Sequence, residues 1–225
     1  MTFSGRCTSD ADYTRPGGLI FPAIRQEAIV LQQPKHRLKV TDLGEAAELL
    51  KRADRIVIFG SSGGGKSTLA QKLALILGVR YVSMDREVFW LPEWVSRPRP
   101  EQRQIISKIV AEDRWIIDGN NPRTLDLRLP RADVILWVRV QRLLCLWSIF
   151  KRGIVYRGRT RPDMAPGCLE QWPDRDFMSY VWNFERDDVP EFMEGIRLHG
   201  PHVPLVELRS RAQMGRLLQR LEAIG

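Results

Sequence analysis

An α/β fold, in which a parallel sheet carries helices on both faces, is the class this sequence predicts, and three observations predict it. From Arg55 onward, five short apolar runs alternate with stretches of helical periodicity, the order that strand–helix–strand crossovers produce. The run over 133–140 is apolar almost throughout, as a strand buried on both faces must be. Between the first run and the helix after it stands a glycine-rich turn, Gly60-Ser-Ser-Gly-Gly-Gly65-Lys66-Ser67-Thr68.

Residues 1–40, rich in Gly, Pro, Gln, Ser and Thr, read as a loosely ordered extension. Its one apolar patch, Ala28-Ile-Val-Leu31, could pair a short strand on the domain that occupies 41–225. Thr41 and Asp42 are candidate caps for a helix with Leu43, Ala46, Ala47, Leu49 and Leu50 at helical spacing. Strand 1 covers 55–59. The helix after the glycine turn places Leu69, Ala70, Leu73, Ala74 and Leu77 on one face, and Gly78 stops it. Strand 2 covers 79–84 and ends at Asp85. A loop rich in tryptophan and proline follows over 89–100. Pro100 suits the first turn of a helix over 101–112 whose inner face is Ile105, Ile106, Ile109 and Val110. Strand 3 covers 114–118, and strand 4 covers 133–140. Residues 143–150 read as a helix packed on most faces, 177–184 as an aromatic helix, 202–208 as strand 5 and 212–223 as a closing helix.

Length and composition limit the classes of function. A chain of 225 residues suits one domain, and 44% hydrophobic residues with seven tryptophans supply a sizeable core, which excludes a disordered protein. Cys7, Cys145 and Cys168 are odd in number and lack C-x-x-C spacing, which argues for reduced thiols over a disulfide framework or zinc site. No run approaches the ~18 apolar residues of a membrane span, and Pro22 breaks the short apolar stretch near the N-terminus. A soluble, cytoplasmic protein is expected. The net charge of +8 admits a nucleic-acid partner, but no helix-turn-helix, zinc-finger or RNA-binding signature accompanies it. His199 and His202 lack a third metal ligand.

The glycine turn carries the clearest chemistry. It fits the P-loop pattern G-x-x-x-x-G-K-[ST] without mismatch. Four glycines among Gly60, Ser61, Ser62, Gly63, Gly64 and Gly65 let successive N–H groups face one point, where the helix dipole adds positive charge. A triphosphate fits that point. Lys66 is expected at the β and γ phosphates of ATP, Ser67 at a Mg²⁺ ion bridging those oxygens, and Thr68 beside them. Asp118, at the end of strand 3, is either a second carboxylate holding that metal through water or a turn residue before Gly119.

The segment 151–161 holds five basic residues, Lys151, Arg152, Arg157, Arg159 and Arg161, and no acidic one. With Gly153 and Gly158 it reads as a mobile segment, over about 151–168, that is either a lid closing on the triphosphate to exclude water or a solvated basic loop. One well-placed arginine is worth roughly 10³ to 10⁵ in rate. Asp85 is an acceptor-orienting base, a helix cap or a turn residue. Trp90 and Trp94 either stack on a planar acceptor or fill core, and Arg97 and Arg99 are candidates for a second anionic contact.

Trp115-Ile-Ile-Asp-Gly-Asn-Asn-Pro-Arg-Thr124 resembles the Asp-Gly-x-Pro-Arg-Thr stretch of adenylate kinases. Asp113-Arg-Trp-Ile-Ile-Asp-Gly-Asn120, Leu125-Asp-Leu-Arg-Leu129, Leu144-Cys-Leu-Trp147 and Tyr156-Arg-Gly-Arg-Thr-Arg-Pro-Asp-Met164 are similar to the adenylate-kinase-like family of DNA topology modulation proteins (FlaR-like), over about 56–221. That resemblance implies a P-loop NTPase three-layer sandwich with a five-stranded parallel sheet in the order 2-3-1-4-5 and an arginine-rich lid. It implies Lys66, Asp85, Arg123 and Arg152 as catalytic residues: Arg123 on the acceptor phosphate, Arg152 in the lid and Asp85 facing the acceptor. Arg157, Arg159 and Arg161 join the ATP-binding set, and Ser67 and Asp118 the metal set. The chain departs from the pattern at Ser148, where such kinases usually carry arginine, and at Asn121-Pro122, where the family usually has Tyr-Ser. The expected function is an ATP-dependent phosphotransferase of the nucleoside-monophosphate-kinase type, with a nucleotide or other small acceptor; the alternative is a nucleotide-switched DNA-binding ATPase.

Overall fold

The computed structural model describes residues 39–224. In chain order the strands are β1 (Lys39–Val40), β2 (Arg55–Gly60), β3 (Tyr81–Ser83), β4 (Trp90–Leu91), β5 (Val95–Ser96), β6 (Trp115–Asp118), β7 (Val134–Val138) and β8 (Leu205–Leu208). The strands β4 and β5 pair with each other as an antiparallel hairpin. The other six form one parallel sheet in the order β3-β6-β2-β7-β8-β1. The five expected strands thus occur in the expected order, and the count is corrected to six. The sixth, β1, comes from the end of the stretch read as an extension. A two-residue strand is too short to show a periodicity, and only pairing to Leu205 and Val206 makes it one. The patch 28–31 lies outside the described residues.

The helices are α1 (Leu43–Arg52), α2 (Lys66–Leu77), α3 (Arg99–Ala111), α4 (Leu125–Arg128), α5 (Arg142–Val155), α6 (Arg175–Asp187), α7 (Val189–His199) and α8 (Arg211–Ala223). Strand alternation sorts them into two outer layers. Ile56 and Ile58 point to one face of β2, where they meet α1, α2 and α8 through Ala46, Leu50, Leu73 and Leu217. Val57 and Phe59 point to the other, against Ile106 of α3, Leu125 of α4 and Phe192 of α7. Capping follows the sequence: Asp42 accepts from the Gly44 and Glu45 N–H groups at 2.8 and 2.9 Å, and Gly78 ends α2 with φ 61°.

Two expectations about helices are revised. The helix over 143–150 extends from Arg142 to Val155 and is not packed on most faces: Cys145 and Ile149 are buried, while Leu143, Trp147 and Ile154 are exposed. Gly153 therefore sits inside a helix, against Trp172, and is no hinge. The helix α7 was not expected, because it starts at Val189 directly after α6 ends and no loop signal separates them.

Candidate active site

Strand register brings the candidate residues to one edge. Ile58 lies opposite Asp118 and Gly60 opposite Val138, so the P-loop and the Asp118 carboxylate leave the sheet side by side at its carboxyl end. Ser83 is also opposite Asp118, which brings Asp85, two residues later, to the same edge. Ligands of open parallel sheets gather there because the helix N-termini that follow the strands face it.

The P-loop backbone is held closely on both sides. Gly60 has φ 141°, and a Cβ there would stand 1.9 Å from the Val138 carbonyl oxygen. Gly63 has φ 76°, and a Cβ there would meet the Cys145 carbonyl oxygen of α5 at 2.4 Å. Only glycine fits either position. Asn120 locks the entry to the loop: its Oδ1 accepts from the Gly60 N–H at 3.0 Å, and its Nδ2 donates to the Gly60 carbonyl at 2.8 Å. Lys66 Nζ donates to the Ser61 carbonyl at 3.1 Å, which holds the ammonium over the turn.

Asp118 is 4% exposed. Its Oδ2 accepts from the Tyr81 hydroxyl at 3.4 Å, and its Oδ1 is buried without a hydrogen-bond partner among the described residues. Burial pushes its pKa up to about 6, against the pull of Lys66 and the Ser67 hydroxyl; Asp85 and Asp163 add to the rise. An orphaned carboxylate oxygen beside a serine hydroxyl and a phosphate-binding lysine is a donor set that a hard divalent cation fits.

Asp85 opens a π-helical turn, Asp85–Phe89. Burial raises its pKa, and Arg161, Lys66 and Arg152 draw it back. Lys66, Arg152 and Arg161 therefore each lie within electrostatic reach of Asp85. Arg152 and Arg161 are held by Glu170, whose Oε1 accepts from Arg152 Nε and whose Oε2 accepts from Arg161 Nε, each at 2.7 Å. Arg157 and Arg159 are exposed, and their side chains have no hydrogen-bond partner among the described residues. Arg123 is likewise exposed, in the 3₁₀ turn Pro122–Thr124 that the Asn121 side chain caps through the Arg123 N–H at 3.1 Å.

The segment 163–169 docks on the end of β3 and on the β4–β5 hairpin. Ser83 Oγ donates to the Asp163 carbonyl at 2.7 Å, and Trp94 Nε1 donates to the Leu169 carbonyl at 2.9 Å. Trp90 and Trp94 pack against Met164, Ala165 and Cys168, so they fill a small apolar cluster between hairpin and lid. Arg97 is engaged within its own loop, donating from Nε to the Val88 carbonyl at 3.0 Å with Nη1 3.6 Å from Glu101.

Several residues escape sequence reading. Arg128 is fully buried and donates to the Gly119 and Asn121 carbonyls at 3.0 and 2.8 Å, fixing the turn that carries Asn120. Its signal was an arginine three residues after Leu125, on the face that enters the core. Ser148 takes a hydrogen bond from Arg211, whose Nη2 also lies 3.4 Å from the Gly63 carbonyl. A guanidinium from α8 therefore stands beside the P-loop next to the position where an arginine was missing. Glu170 and Asp163 gave no signal, since their meaning depends on partners brought to them by the fold.

No family model matches the chain, and no curated protein matches it in sequence. Among solved structures it is similar to the shikimate kinase of Acinetobacter baumannii in complex with shikimate, at 11% identity over 79% of this chain and 96% of that one, with a TM-score of 0.47. The shikimate kinase of Bacteroides thetaiotaomicron gives 18% identity, 76% and 98% coverage and a TM-score of 0.47. A gluconokinase from Sinorhizobium meliloti 1021 gives 13% identity, 75% and 89% coverage and a TM-score of 0.42.

Proposed function

We propose that this chain is an ATP-dependent phosphotransferase of the nucleoside-monophosphate-kinase type, moving the γ-phosphate of ATP to a nucleotide or another small acceptor. One observation carries the reading: strand register sets Asp85, two residues after Ser83, at the same sheet edge as the P-loop and Asp118, and Ser83 Oγ holds the segment beyond Arg161 there through the Asp163 carbonyl at 2.7 Å. A module that only binds or hydrolyses a nucleotide has no need of that second carboxylate. The motif similarity to the FlaR-like, adenylate-kinase-like family supports the finer assignment.

The residues divide the task as phosphoryl transfer requires, by position and charge. The P-loop N–H groups and Lys66 hold the β and γ phosphates. Ser67 and Asp118 would hold Mg²⁺, which when bound neutralises charge on the phosphate oxygens. Arg152 and Arg161 face the charge that builds on the transferred group. Asp85, whose carboxyl burial raises above the ordinary carboxylate range, orients the acceptor hydroxyl and receives its proton. The docked lid keeps water from acting as acceptor.

The test is ADP release from Mg-ATP, screened against nucleotides, nucleosides and small hydroxyl compounds. One acceptor class should stimulate release at least ~10-fold, and Lys66→Ala should abolish it, because the lysine bridges the phosphates that separate. No stimulation by any class, with Lys66→Ala indistinguishable from wild type, would sink the assignment.

A further inference from the structure

We propose that Glu170 is a positioning residue for phosphoryl transfer, holding Arg152 and Arg161 by their Nε–H groups so that both Nη groups of Arg152 and Nη2 of Arg161 face the transferred phosphate; this rests on the phosphotransferase reading above. The two arginines come from different elements, Arg152 from α5 and Arg161 from the loop beyond it. Brought together without an anion they would repel, and the Arg152 pKa is already lowered, first by burial and then by Arg161. Glu170 resolves this with one carboxylate oxygen for each, both at 2.7 Å.

The carboxylate itself is fixed. Its side chain is 6% exposed, and both polar groups of its backbone are tied to the turn at Gly158 and Arg159. The Glu170 N–H donates to the Arg159 carbonyl at 2.9 Å, and the Glu170 carbonyl accepts from the Gly158 N–H at 3.2 Å. Glu170 is therefore joined to the segment that leads into Arg161, and its two carboxylate oxygens set the place of both guanidinium groups. Because both Nε–H groups are engaged, both Nη groups of Arg152 and Nη2 of Arg161 keep no hydrogen-bond partner among the described residues. Arg161 Nη1 is taken by the Asp163 carboxylate at 3.1 Å. The two side chains remain 24% and 10% exposed. A phosphoryl group has the equatorial oxygens to accept from the unpaired Nη groups.

The alternative role for a buried anion between two arginines is a brake that occupies the phosphate's place, and it has the opposite sign. The Glu170→Gln variant loses the charge that both arginines share. Its turnover in Mg-ATP, read as ADP release with and without the stimulating acceptor, should fall ~10- to 100-fold, the range seen when a group that orients a reacting residue is lost. Half-saturation by ATP should stay within ~3-fold, because Lys66 and the P-loop do not touch Glu170. Free guanidinium ion should restore part of the activity of Arg152→Ala and none of that of the Arg152→Ala/Glu170→Gln double variant, since the carboxylate is what docks it. Wild-type turnover in Glu170→Gln, a rise in turnover, or equal guanidinium rescue with and without Glu170 would each overturn the assignment. Should Glu170→Gln melt below the assay temperature, the rescue of Arg152→Ala in the presence of Glu170 decides alone: rescue supports the role, and its absence counts against it. A wild-type protein that releases no ADP removes the phosphotransferase reading, and Glu170 with it; turnover by wild type and Glu170→Gln alike removes only Glu170.

Discussion

Asp118 holds a charge in a place that disfavours charge. Its folded pKa of about 6, raised mainly by burial from the ordinary 3.8, means that the folded chain binds a proton more tightly than the unfolded one. The favourable contribution of the protonated acid is complete below about pH 4 and is lost as pH rises through 6; above that, the buried carboxylate costs on the order of 2–3 kcal/mol. Asp118→Asn should therefore raise the melting temperature of the nucleotide-free protein at pH 7.5, and the gain should shrink toward pH 5. A melting series across that range with both proteins checks it. On the proposed function, the same substitution should weaken the Mg²⁺-dependent part of ATP binding, because it replaces a carboxylate whose Oδ1 is buried without a partner among the described residues. Stability is given up at this residue in favour of a site, as buried functional carboxylates commonly require.

At the scale of elements, the turn after β6 links core to site. Arg128, on the four-residue α4, is the only cation on that helix's buried face, and burial lowers its pKa to about 10. Its two Nη groups satisfy the Gly119 and Asn121 carbonyls, and Asn120 between them grips both polar groups of Gly60. A lysine at 128 keeps the charge but has no fork to serve two carbonyls at once. Arg128→Lys should cost about 1–3 kcal/mol in a urea titration, the desolvation cost of a buried carbonyl left unpaired. It should also raise the ATP concentration needed for half-saturation, because the loop's first residue loses its support. An unchanged midpoint would show that the turn holds itself.

At the scale of the whole molecule, charge among the described residues is spread through pairs more than gathered into a basic face. Arg80, Arg103, Arg114 and Arg197 each meet a carboxylate, so the net charge of +8 does not by itself mark a polyanion-binding surface. The largest of these clusters closes the sheet edge. Glu207 on β8, its side chain 6% exposed, accepts from Lys39 of β1, from Arg139 at 3.2 Å and from Arg209 at 2.8 Å. Burial would raise its pKa, but the hydrogen bonds from Lys39 and Arg209 prevail and lower it. A carboxylate with a lowered folded pKa stabilises the fold above its ordinary 4.5, and that contribution disappears as pH falls through the lowered value. Glu207→Gln should thus destabilise the protein by about 1–3 kcal/mol at pH 7, where charged hydrogen bonds are lost, and by much less at pH 3. Urea midpoints at the two pH values measure the difference.

The extent of the fold legible in the sequence follows from the same physics. Leu69, Leu73 and Val57 announced their elements because burial of one face imposes a period on the chain, and period is a property of sequence. Gly60, Gly63, Lys66 and Ser67 announced the donor site because a phosphate cradle needs consecutive residues. Asp118 and Asp85 were readable only as ends of strands, with their roles left open. The unexpected helix α7 and the exposed face of α5 were not readable, since neither has a boundary or a polarity that distinguishes it locally. Glu170, Arg128 and Arg211 belong to the same class: each acts on a partner from another element, across 18, 7 and 148 positions of chain respectively.

The sequence by itself determined a parallel α/β sheet and a phosphate-binding loop at the start of α2, because both are written in local periodicity and adjacent residue types. The tertiary structure alone decided that the glycine-rich loop, Asp118 and Asp85 leave the sheet at one edge, that Glu170 joins Arg152 to Arg161, and that Trp90 and Trp94 pack against Met164, Ala165 and Cys168. Strand register and the packing of the lid bring these residues together, and both are fixed by contacts distant in sequence, which no local pattern encodes.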